Sequence, residues 1–218
     1  MPQAVLTINS RNYGAWSLRG WLLCRFSGID FTVQSVDSQD PWARAELLML
    51  SPSLLVPRLT HGEVSVWSTI AIAEYLHELD PERGLIPAGV AERARCRSVS
   101  GEIQSGFANL RSALPMNLRA NHPGFPVWEG ARADLDRVED IWHECIIASG
   151  GPFLFGAQPT LADAMFAPVC TRIRTYDVKV GSLSDDYTAT MLALPEMGEW
   201  TEEAKKEPED VEELEMEF

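Results

Sequence analysis

The side chains able to do chemistry gather at two strand-to-helix junctions. At one, Ser65-Val66-Trp67-Ser68-Thr69 leads from a strand into an apolar run of Ile70, Ala73 and Leu76, with Ile72 and Tyr75 beside it. Two hydroxyl residues before such a run are an N-cap, and the free amides of the helix they open attract an anion. Upstream, Val56-Pro57-Arg58-Leu59 starts a strand through proline, which donates nothing to a sheet ladder. Val56-Pro57 is therefore expected to be a tight, exposed strand start and is a candidate cis bond. At the other junction, Asn12-Tyr13-Gly14-Ala15-Trp16-Ser17-Leu18-Arg19, the hydroxyls of Tyr13 and Ser17 stand at the head of a helix. The plain roles there are an N-cap for Ser17 and core packing for Tyr13.

Sulfur and metal chemistry find little support. Cys24, Cys96, Cys145 and Cys170 lie far apart, with no Cys-x-x-Cys pair and no histidine at metal-ligand spacing. They read as free, buried thiols, and no metal is expected.

The net charge of -14 argues against nucleic acid, because phosphate binding needs clustered cations. Much of that charge is local: Glu199–Phe218 holds ten acidic residues and two lysines, which leaves -6 for the other 198 residues. A like-charged run repels itself and buries little, so 199–218 is expected to be a disordered tail. Val211, Leu214 and Phe218 give it a short helical stripe that could hold a protein partner. No stretch approaches the ~20 apolar residues of a membrane span, and the N-terminus lacks a basic region before an apolar run. The expectation is a cytoplasmic protein with no membrane partner.

The elements that position these residues follow from periodicity. Ala4–Ile8 reads as a strand, Tyr13–Phe26 as a helix and Phe31–Val36 as a second strand, which begins a parallel pair with a crossover helix. The proline-started strand, a His61-Gly62 hairpin and the helix from Thr69 complete a four-strand, three-helix, thioredoxin-like unit over residues 1–80. A Pro/Gly-rich linker at 81–90 leads to an all-α unit at 91–198. Its helices are expected at Ala91 to about Leu114, Trp128–Ala148, Leu161–Tyr176 and, more weakly, Asp185–Leu194. Before the third, Gly156-Ala157-Gln158-Pro159-Thr160-Leu161-Ala162-Asp163 is a start signal in which Thr160 caps the helix and Asp163 reaches back.

Val56-Pro57, the Ser68-Thr69 pair and the Gly156–Asp163 start, taken together, resemble the glutathione transferase family, in its bacterial serine-type, zeta-like group. The resemblance runs from about Leu6 to Val180 and implies an α/β thioredoxin-like N-terminal domain followed by an all-α C-terminal domain. It implies glutathione as co-substrate, a two-fold homodimer, and conjugation of glutathione to a small electrophile, a detoxification chemistry. A glutathione-dependent isomerase like maleylacetoacetate isomerase, or a non-catalytic scaffold for a protein partner, are the alternatives. In such proteins the backbone before the third strand meets the cysteinyl unit of glutathione, and a hydroxyl at the next helix holds the γ-glutamyl carboxylate. That carries the site to Trp16, Leu55, Val56, Pro57, Ser68 and Thr69.

A transferase of this kind presents glutathione as a thiolate. Lowering a thiol pKa of about 8.5 by two units takes about 2.7 kcal/mol of preference for the anion. One hydroxyl bond to the sulfur supplies roughly 1.5–3 kcal/mol, and a helix N-terminus about 0.3–1 kcal/mol more. Aligned on Ser17 and Arg19, the two leading serines of the family are Gly14 and Ala15 here, so Ser17 or Tyr13 is left as the catalytic hydroxyl. Leu55 replaces a donor to the glycine carboxylate, and Ser68 replaces the usual acid or amide, so glutathione binding is expected to be millimolar. Tyr13-Gly14-Ala15-Trp16 stands where a thioredoxin carries its two cysteines, which removes dithiol redox chemistry. A second-substrate pocket between the units would draw on Phe107, Arg111, Pro115, Met116, Asn117, Arg172 and Tyr176. Arg111 with Arg172 or Arg174 would suit an acidic substrate.

Overall fold

The structure, a computed structural model, describes residues 3–36 and 56–207. Leu55 and the stripe at Val211, Leu214 and Phe218 lie outside the described residues. Strand β1 (Ala4–Ile8) buries Ala4, Leu6 and Ile8 completely and is central to a four-stranded sheet. Helix α1 (Ala15–Ser27) crosses over to β2 (Phe31–Ser35), which pairs parallel with β1 and sets Leu6 opposite Val33. On the other side of β1, β3 (Arg58–His61) pairs antiparallel, with Leu6 opposite Leu59, and β4 (Val64–Trp67) returns beside β3. The strand order is β2-β1-β3-β4, and the hairpin turns at Gly62, whose φ of 62° suits glycine. Helix α2 (Thr69–Leu79) follows β4 and packs on α1.

The Val56–Pro57 bond is cis, but its surroundings differ from the exposed start expected. Both residues are buried, because α1 passes against the proline at Gly20. A Cβ on Gly20 would stand 2.5 Å from the Pro57 Cβ, so the helix needs a bare backbone there. Glycine inside a helix costs about 1 kcal/mol against alanine. Close packing of helix on strand offsets that cost.

Beyond a 3-10 turn at Pro81–Arg83 the described chain is helical: α3 (Val90–Ser105), α4 (Ala108–Ala113), α5 (Glu129–Ser149), α6 (Leu161–Thr175), α7 (Ser182–Leu192) and α8 (Pro195–Ala204). Nearly every residue of α6 is buried, and it packs on α1, α3 and α7, so it is the post around which both halves assemble. Its capping box forms as expected. Asp163 accepts from the Thr160 amide (2.8 Å) and hydroxyl (2.9 Å), and from the Leu154 amide and Tyr187 hydroxyl (3.0 Å each).

Two expectations are corrected. The helix read from Ala91 to about Leu114 breaks at Gly106–Phe107, because Gly106 is extended and Phe107 takes φ +59°. A Cβ on Gly106 would meet the Glu102 carbonyl at 2.9 Å. The tail read as disordered from Glu199 starts inside a helix, since α8 runs to Ala204. Met197, Trp200 and Ala204 form a buried stripe that charge counting hid, and Trp200 packs at a tilt against Trp21 with ring centres 5.3 Å apart.

Candidate functional site

The end of β1, the head of α1, the start of β3 and the head of α2 converge at one end of the sheet's strands. At the head of α1, Ser17 is fully buried, and its hydroxyl donates to Asn9 Oδ1 at 2.6 Å while accepting the Asn9 amide at 3.1 Å. The hydroxyl expected to face a sulfur is thus spent on pinning α1 to the end of β1. Sequence spacing located Ser17 but not this partner eight residues earlier. Tyr13 is also buried, and its amide donates to the Ser10 hydroxyl oxygen at 3.1 Å. Trp16, half-buried, lies beneath the Arg19 guanidinium at 4.2 Å.

At the head of α2, Ser68 holds φ 68° and ψ 129°, a left-handed backbone rare for a residue with a Cβ. Such a conformation costs about 1–3 kcal/mol and collects at ligand sites. Trp67, just before Ser68, pairs with Arg58, which sets the head of α2 beside the Val56–Pro57 segment. Buried Thr69 follows, and its hydroxyl donates to Gln104 Oε1 at 3.2 Å. Gln104, one residue before the end of α3, was missed by sequence reasoning. The signal available was a polar side chain just ahead of the Gly106 break. Trp67, half exposed, closes the outer side.

The second-substrate candidates divide. Asn117 is fully buried and serves the fold: its Oδ1 accepts from Asn12 Nδ2 (3.0 Å) and from the Arg119 and Ala120 amides (3.2 Å each). Tyr176 donates to the Pro115 carbonyl, and Met116 is core. Phe107 sits in the left-handed region at the helix break and is nearly buried. The arginines form a group of a different kind. Arg19 is 1% exposed, with Nε donating to the Met165 carbonyl at 2.8 Å and Nη1 without a partner. Arg172, also buried, donates to the carbonyls of Leu114 (2.7 Å) and Pro168 (3.1 Å), and Arg111 reaches the Ile103 carbonyl. Burial first, then repulsion from Arg172 and Arg111, holds the Arg19 guanidinium well below its usual range. Burial and the Arg111 charge bring Arg172 down to about 10. Arg111 is lowered by burial, opposed by Asp134. Among the described residues none of the three makes an ion pair with a carboxylate. Arg174, the other candidate, is exposed.

The cysteines lie away from these groups. Burial raises Cys24 and Cys170 far above a free thiol, and Cys96 to about 12. Among the described residues no group of histidines, cysteines and carboxylates is arranged to hold a metal.

Known proteins resemble this chain in sequence and in fold. Residues 13–79 match the family model described as glutathione S-transferase, N-terminal domain. The chain is 26% identical over 158 residues to glutathione S-transferase 1 of Dianthus caryophyllus, covering 71% of this chain and 70% of that one. It is 26% identical over 162 residues to a probable maleylacetoacetate isomerase of Caenorhabditis elegans, covering 73% of each. A Burkholderia glutathione transferase homologue crystallised with bound glutathione superposes with a TM-score of 0.70 at 21% identity, over 94% of this chain and all of that one. Maleylacetoacetate isomerase from Anaeromyxobacter dehalogenans superposes with a TM-score of 0.67 at 21% identity, over 99% and 98% of the two chains. The chain therefore carries a glutathione S-transferase N-terminal domain, has the glutathione transferase fold, and has homologues named glutathione S-transferase and maleylacetoacetate isomerase.

Proposed function

We propose that this chain, with its glutathione S-transferase N-terminal domain, binds glutathione along the edge formed by α1, β3 and α2 and transfers its sulfur to a small electrophile. The observation that carries the reading is the left-handed Ser68 backbone at the head of α2, which the pairing of Trp67 with Arg58 sets beside Val56–Pro57. A buried hydroxyl and free amides at the head of α2 are suited to the γ-glutamyl carboxylate, and the Val56 backbone to the cysteinyl unit. At the sulfur, the Ser17 hydroxyl is committed to Asn9 and the Gly14 and Ala15 amides to the Ser10 and Tyr13 carbonyls, so the Trp16 and Ser17 amides at the head of α1 hold the thiolate, with Tyr13 the other hydroxyl-bearing candidate. In the reaction the thiolate forms a carbon–sulfur bond, and with an aryl chloride as acceptor the carbon–chlorine pair leaves as chloride. The ligand's ammonium lacks an acid at position 68, so the dissociation constant is expected in the millimolar range. Titration with glutathione while following tryptophan emission tests this, since Trp16 and Trp67 flank the site. Saturable quenching with release of chloride from a chloronitrobenzene supports the reading, and no response up to about ten millimolar removes it.

A glutathione-dependent isomerase is the second reading, favoured by one observation: three neighbouring arginines that make no ion pair with a carboxylate among the described residues suit an acidic second substrate. Turnover of a cis-diene diacid with no net loss of glutathione separates it from conjugation. A scaffold role through the tail has lost residues 199–207 as a free segment, since Trp200 and Glu207 bind their own chain. No helix among the described residues is long and apolar enough to cross a membrane, and a cytoplasmic homodimer is the assembly in keeping with this reading.

A further inference from the structure

The loop between β1 and α1 is held by a residue 196 positions later in the chain. The Glu207 carboxylate accepts from the Ser10 hydroxyl at 2.7 Å, the Arg11 amide at 2.5 Å and the Asn12 amide at 3.1 Å. The Ser10 oxygen in turn takes the Tyr13 amide. The Glu207 carbonyl accepts from Arg119 Nη1 at 2.8 Å, and the Arg119 amide donates to Asn12 Oδ1 at 3.0 Å. Two turns earlier, Trp200 donates its indole N–H to the Arg11 carbonyl at 3.0 Å, with the Arg11 guanidinium 5.6 Å from its ring centre. Four consecutive residues, Ser10 to Tyr13, are thus tied directly or through one hydroxyl to the end of the described chain.

The clamped loop is also contracted. Gly14 donates its amide to the Ser10 carbonyl at 3.1 Å, and a Cβ on Gly14 would stand 2.1 Å from that oxygen and 2.3 Å from Asn9 Oδ1. No side chain fits at position 14 while the loop keeps this shape. The backbone has closed over the place where the family resemblance puts a serine, and Glu207 is the group that draws its amides inward. We propose that Glu207 is a positioning residue for the sulfur end of the glutathione site: its carboxylate holds the β1–α1 loop closed and so aims Tyr13 and the first amides of α1. This rests on the glutathione reading above.

The test uses the full chain with Glu207→Ala and Glu207→Gln, and Glu202→Ala as a control whose partner is the exposed Lys205. Hydrogen exchange without ligand is read at the Arg11 and Asn12 amides, and thiolate absorbance of bound glutathione is followed against pH. In Glu207→Ala those two amides are expected to exchange at least tenfold faster, while amides in the middle of α1 stay protected. The pH midpoint for thiolate formation rises by about a unit, a tenfold loss of ionisation. Glu207→Gln, which keeps one acceptor oxygen, falls between, and Glu202→Ala matches the wild type. Unchanged exchange at Arg11 and Asn12 overturns the clamp itself. Faster exchange with an unchanged thiolate midpoint and affinity overturns the positioning role and leaves the glutathione reading standing. A wild-type protein that binds no glutathione removes both, whatever the exchange shows.

Discussion

At the scale of single residues, what a hydroxyl or thiol does is decided by what already holds it. Ser17 has the position of a catalytic side chain, yet both of its hydrogen-bonding capacities go to Asn9 in a buried site. Replacing it with alanine leaves the Asn9 amide and Oδ1 without their partner, so Ser17→Ala is expected to cost about 1–3 kcal/mol in urea unfolding. Thiolate formation on bound glutathione should survive the change; its complete loss would return Ser17 to the sulfur. The thiols are governed the same way. Burial is the first cause raising the pKa of each cysteine, so each stays protonated near neutral pH, and the thiolate is the reactive form. An aromatic disulfide reagent at pH 8 should titrate none of the four quickly in the native protein and all four after denaturation. A rapidly reacting thiol in the native state would contradict the burial. The positions of these residues were legible in the sequence, but their partners were not, because a partner such as Asn9 is chosen by how α1 seats on β1.

At the scale of elements, the parts set by local periodicity were legible and the parts set by packing were not. The short apolar run Ala4–Ile8, the capped start of α6 and the Ser68-Thr69 helix start are written in neighbouring residues. The break at Phe107 and the helix Pro195–Ala204 depend on contacts made elsewhere: α8 holds because Trp200 finds Trp21, in a segment whose charge alone argues for disorder. Gly20 belongs with these. By propensity alone, Gly20→Ala should stabilise α1 by about 1 kcal/mol. The 2.5 Å approach of Pro57 reverses the sign, because overpacking a well-packed contact costs about 1–3 kcal/mol. Net destabilisation with weakened glutathione binding is expected, since the proline is pushed off the edge where the Val56 backbone meets the ligand. Urea unfolding beside a glutathione titration checks both, and a more stable variant would show that the α1–β3 contact yields easily.

At the scale of the whole molecule, charge is divided against itself. The chain carries -14 overall, with acidic residues concentrated at the C-terminal end, yet Arg19, Arg111 and Arg172 meet inside it with no ion pair to a carboxylate among the described residues. Exposed charges are screened beyond about 8 Å at physiological salt, so the outer surface repels an approaching anion only at close range and low ionic strength. The buried guanidiniums are screened far less, and a bound carboxylate would relieve their mutual repulsion. A small dicarboxylate should therefore raise the thermal midpoint while its neutral diester should not. At a hundredfold excess over the dissociation constant the gain is about 2.7 kcal/mol, or roughly 5–10 °C for a chain of this size. Added salt should speed association of the diacid, the reverse of a site that draws anions by its surface field. Arg111→Met, which keeps the volume and removes one half-exposed charge, should reduce the shift. If diacid and diester shift the midpoint equally, the arginines serve only to hold the Met165, Leu114 and Pro168 carbonyls, and the acidic-substrate reading falls with the isomerase that rests on it.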